Sequence, residues 1–124
     1  MNTLLWTLQI VLAVIFGGAG AVKLIPSQEQ LAKTLGGWVN DVPAQLIKPL
    51  GLAEVLAAIG LIVPLLADIA PILTPLAASG LVITMIGAVA THARRGEYPN
   101  VAVNVLIAAV AVVIVWGRFG PYAF

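Results

Sequence analysis

Apolar residues gather into four long runs, at residues 4–25, 50–66, 72–92 and 101–117, separated by short polar breaks. Each run is close to the roughly 20 helical residues that cross a hydrocarbon core about 30 Å thick. The pattern predicts an all-α protein: an integral membrane four-helix bundle built as a single four-span domain over residues 1–124. Between spans one and two, residues 27–48 follow a different rule. Pro26 ends the first run, and Ser27 to Gln30 fit a capping box. Leu31, Leu35, Trp38 and Val42 then recur at helical spacing. This segment predicts a short amphipathic helix in the membrane interface, with Trp38 as its interfacial anchor.

The other breaks are tighter. Pro43 and Pro49 set up span two, and Asp68, Pro71 and Pro75 fence the hairpin into span three. Glu97 to Asn100 form the turn into span four, with Asn100 the expected N-cap. Ala13, Gly17 and Ala21 in span one, and Gly80, Thr84 and Ala88 in span three, recur every four residues and predict close helix contacts.

Composition sharpens this picture. Hydrophobic residues make up 61% of the 124-residue chain and charged residues 9%, too few charges to cover a water-facing surface. Net charge is +1, so there is no basic field for nucleic acid. The absence of cysteine removes disulfides, thiol catalysis and thiolate metal sites. The first run lacks a preceding Lys or Arg and is long for a signal peptide, so it is expected to stay as a span. Lys23, Lys33, Lys48, Arg94 and Arg95 fall on one side of the membrane, with Arg118 on the other. The positive-inside rule then puts loops one and three in the cytoplasm and both termini outside. The expected location is a bacterial cytoplasmic membrane. Trp116, Arg118, Tyr122 and Phe124 are expected in an interfacial belt at the far boundary.

Four polar side chains in or just inside the spans need partners: Lys23, Glu54, His92 and Asn104. Because chain direction alternates, all four fall near the same membrane face. Isolated charges near the bilayer centre cost roughly 2.5–3.5 kcal/mol on insertion scales. A Lys23–Glu54 pair inside the bundle is therefore expected, either as a lock between spans one and two or as a binding or proton-transfer site. His92 reads as a hydrogen-bonded cap or a ligand contact, and Asn104 as a helix–helix hydrogen-bonding residue. Arg94 and Arg95 read as lipid-phosphate contacts. No metal set, nucleotide loop or catalytic triad stands out, and no catalytic residue is assigned.

Three stretches carry a family resemblance: Gly17-Gly18-Ala19-Gly20-Ala21-Val22-Lys23-Leu24, then Gly51-Leu52-Ala53-Glu54 with Gly60-Leu61, then Thr91-His92-Ala93-Arg94-Arg95-Gly96. In these the chain resembles the DoxX-like family of small four-span membrane proteins. The resemblance implies a four-helix integral membrane fold. The family's founders are associated with thiosulfate:quinone oxidoreductase, and other relatives with oxidative-stress complexes or chaperoning of membrane proteins. No thiol or metal set here supplies thiosulfate chemistry, so a quinone-linked oxidoreductase role would need a catalytic partner subunit. The expected function is an accessory or binding subunit. It would hold a lipophilic small molecule, a quinone or lipid, near the cytoplasmic interface, with Lys23, Glu54, His92 and Asn104 as its polar groups. Membrane lipid, another membrane protein and a second copy of the chain are the expected partners. The alternative is a structural or assembly partner of another membrane protein, with no ligand of its own.

Overall fold

The computed structural model describes residues 2–24 and 44–122. Four helices account for nearly all of them: α1 Asn2–Lys23, α2 Ala44–Ala67, α3 Leu73–Arg94 and α4 Tyr98–Phe119. At about 1.5 Å per residue each is some 33 Å or more long, enough to cross a bilayer. All four contain a span-length window of high mean hydropathy with at most two charged residues. The amphipathic segment expected over 27–48, with Trp38, lies largely outside the described residues.

The helices run alternately up and down. α1 packs along α2 and α3 along α4; α2 and α3 meet over a smaller area, and α1 and α4 over a narrow one. The bundle is thus two antiparallel pairs laid together. Their shared core holds Leu12, Phe16, Leu61, Ala78, Leu81, Met85, Ala111 and Ile114. The outward faces are just as apolar, with Val14 71% and Leu66 75% exposed. In water such a surface would aggregate, whereas lipid tails solvate it at no cost.

Helix α2 begins before Pro49, which lies inside it, so residues 44–48 belong to the span rather than to the preceding segment. Pro64 is also inside α2. A proline has no N–H for the carbonyl four residues back, here that of Gly60. Thr74 Oγ1 of α3 donates to that carbonyl at 2.8 Å, so the group that Pro64 leaves open becomes an α2–α3 tie. After α2 the chain turns through Asp68 and Ala70, both at positive φ (53° and 48°), with Ile69 N–H returning to Pro64 O at 3.1 Å.

At the other end, α3 stops in a Schellman motif. Gly96 takes φ +70°, Gly96 N–H bonds Ala93 O at 3.1 Å, and Glu97 N–H bonds His92 O at 2.9 Å. Glu97, not Asn100, occupies the N-cap position of α4, and no side chain caps it. The helix starts two residues before Asn100 because Pro99 needs no N–H partner in the first turn.

The four-residue stripes make part of the helix contact, with Ala13 and Ala88 packed against the core and a Cβ at Gly17 standing 3.8 Å from Ala58 Cβ, but the tightest approach falls elsewhere. A Cβ at Gly80 would meet nothing within 4 Å, and Ala21 is exposed. The tight approach is between Gly20 and Gly51, where a Cβ on Gly20 would stand 2.6 Å from Gly51 O and one on Gly51 2.7 Å from Gly20 O. At the opposite end Leu5 fills the space over Gly117, where a Cβ would stand 2.5 Å from Leu5 Cδ1. Spacing alone offers many small-residue registers in chains this rich in Ala and Gly; packing selects one.

Candidate functional site: a cavity between the two helix pairs

The Gly20–Gly51 contact positions the first polar pair. Lys23 lies three residues beyond Gly20, toward the membrane face. Glu54 lies three residues beyond Gly51, deeper in the bundle. Helical side chains lean toward their own N-terminus, so on antiparallel helices the lysine leans inward and the glutamate outward. They meet, with Lys23 Nζ 2.8 Å from Glu54 Oε1 and side-chain exposures of 9% and 3%. Among the described residues no well-directed hydrogen bond reaches Oε1, so the contact is chiefly one of charge.

This pair forms part of the wall of a cavity of about 610 Å³ between the α1–α2 and α3–α4 pairs. Phe16, Leu50, Met85, Ala88 and Ile107 supply much of its apolar lining, and Lys23, Glu54, His92 and Asn104 all border it. The four residues singled out by depth along the chain therefore share one chamber. Thr84 and Thr91 also line it, but their hydroxyls donate to Gly80 O at 2.9 Å and Gly87 O at 3.0 Å on their own helix. Asn104 differs: its amide nitrogen is buried and has no hydrogen-bond partner among the described residues.

At the end of α3 the Schellman turn folds Glu97 back over His92. His92 Nδ1 and Glu97 Oε1 are 2.8 Å apart, and Arg95 Nε lies 3.3 Å from the same oxygen. The hydrogen bond with His92 holds the Glu97 carboxyl below the usual carboxylate range; the Arg95 charge adds to this, and desolvation opposes it. His92 is thus a buried residue with a side-chain partner and one face on the cavity. Arg94 is exposed on the last turn of α3, and Arg95 is exposed beside Glu97. Neither borders the cavity as described. Lys48 Nζ donates to Leu24 O at 3.3 Å, tying the start of α2 to the end of α1.

A second buried polar cluster lies at the opposite end of the bundle. Arg118 is 1% exposed, turned inward rather than standing in an interfacial belt. Its Nε donates to Gln9 Oε1 at 2.7 Å, and Nη1 donates to Asn2 Oδ1 at 2.7 Å and Tyr122 O at 2.8 Å. Its guanidinium carbon lies 5.6 Å from the Trp6 ring centre. Gln9 passes the connection on by donating to Leu61 O on α2. Trp116 and Tyr122 stay partly exposed nearby, edge to face at 5.9 Å. Sequence reasoning missed this cluster. The available signal was Gln9, a lone polar residue within α1 at a depth matching Arg118 in α4.

Four membrane-spanning apolar helices, with α1, α2 and α4 joined at one end by a buried polar network and the two pairs parted at the other by a polar-edged cavity, define a small integral membrane four-helix bundle. The chain belongs to the DoxX-like family, whose model matches residues 7–114. The match takes in the three stretches that carry the resemblance and all four helices, apart from the first residues of α1 and the last of α4. No curated protein and no solved structure matches it.

Proposed function

We propose that this DoxX-like protein is a binding module, an accessory subunit whose cavity holds a lipophilic small molecule such as a quinone or a lipid. The observation that carries this reading is the convergence of Lys23, Glu54, His92 and Asn104 on one largely apolar chamber. Ligand sites are typically about 300–1,000 Å³, largely apolar, with a few polar groups that set orientation. At about 610 Å³ the cavity takes a ring or ester head with part of its tail. The basic residues at this end orient it toward the cytoplasm, with both termini outside.

The test is purification in native lipid nanodiscs, followed by solvent extraction and mass spectrometry. The reading expects one lipophile per chain, displaced when Ala88→Phe fills the cavity. An empty bundle that co-purifies with a specific membrane protein would instead favour the assembly role.

A further inference from the structure

We infer that the molecule held in this cavity carries an uncharged head with an oxygen acceptor, and that Asn104 binds that oxygen. The inference rests on the binding role proposed above. It follows from what the lining has already committed.

Lys23 and Glu54 oppose each other at 2.8 Å, so their charges cancel within the wall, and Glu54 Oε1 is held by that charge rather than by a directed hydrogen bond among the described residues. His92 is engaged by Glu97, which also faces Arg95. Thr84 and Thr91 have given their protons to helix carbonyls. The Asn104 amide nitrogen is left buried without an acceptor among the described residues. Away from water such a donor is costly until something accepts from it. A carbonyl or ether oxygen answers it. A carboxylate or phosphate would add a charge beside Glu54 and compete with it for Lys23. Two kinds of neutral lipophile share the required chemistry: a prenylated quinone and a diacylglycerol. Both carry carbonyl oxygens on an apolar body.

The experiment uses the full chain in phosphatidylcholine nanodiscs, wild type and Asn104→Leu, a substitution of similar size that removes the donor. Each is incubated with a short-chain benzoquinone or with dioctanoylglycerol, and retained ligand is measured after exchange into fresh discs. The wild type should retain at least one of the two, and Asn104→Leu should retain about tenfold less. Which probe is retained identifies the source. In the wild type alone, the infrared carbonyl stretch of the bound probe should shift to lower frequency, which reads the contact without a variant.

Equal retention by Asn104→Leu with no infrared shift overturns the inference. So does a native extract in which the occupant is a fatty-acid anion or a phospholipid, although that result would leave the binding role standing. A chain that retains no lipophile from its native membrane and neither probe overturns both.

Discussion

Lys23 crosses directly over Gly51: a Cβ on that glycine would stand 2.6 Å from the Lys23 Cβ. The lysine therefore reaches Glu54 because the residue one turn before the glutamate has no side chain. Gly51→Ala should push α1 from α2 and cost about 1–3 kcal/mol. Gly20→Ala should act similarly, since its Cβ would meet Gly51 O and Val55 at under 3 Å. Gly80→Ala should leave stability unchanged or slightly raised, because nothing among the described residues lies within 4 Å of the added carbon. Reversible unfolding in mixed detergent micelles compares the three.

The Lys23–Glu54 pair is buried, so removing one partner should be worse than removing both. Lys23→Met alone leaves a carboxylate without its ammonium and should cost about 3–5 kcal/mol. Lys23→Met with Glu54→Leu should recover much of that loss, with positive coupling in a double-mutant cycle. If the double variant were as unstable as the sum of the singles, the pair would not act as a unit.

Thr74 and Pro64 should be coupled although they do not bond each other. Thr74→Val leaves Gly60 O without its donor and should cost about 0.6–1 kcal/mol. In a Pro64→Ala background the helix supplies its own N–H to that carbonyl, and the Thr74→Val penalty should shrink. Equal penalties in both backgrounds would show that Thr74 does not replace the missing backbone donor.

Glu97 gives a pH dependence with a defined sign. Its carboxyl is held below the usual range by His92, with Arg95 assisting. The stabilisation is complete above the unfolded-chain value, roughly pH 4.3, and is lost as pH falls through the lower folded value. An infrared carboxylate titration, with Glu97→Gln as the difference control, should show Glu97 still mainly ionised at roughly pH 4.3. His92→Gln should move it back toward the ordinary range.

Four apolar runs of span length were enough to determine the helices, their number and their medium, because lipid leaves a backbone few ways to satisfy its polar groups. Alternating chain direction was enough to bring Lys23, Glu54, His92 and Asn104 to one depth. Rotation about each helix axis was not legible. Depth is additive along a chain, whereas facing depends on which small residues meet, and Ala and Gly offered several registers. Tertiary packing chose Gly20 against Gly51. That contact set Lys23 against Glu54 on the cavity wall; at the other end Leu5 packs over Gly117, where Arg118 turns inward onto Gln9. An arginine near a span's end is satisfied equally well by headgroups or by a buried amide, and only the neighbouring helix decides between them.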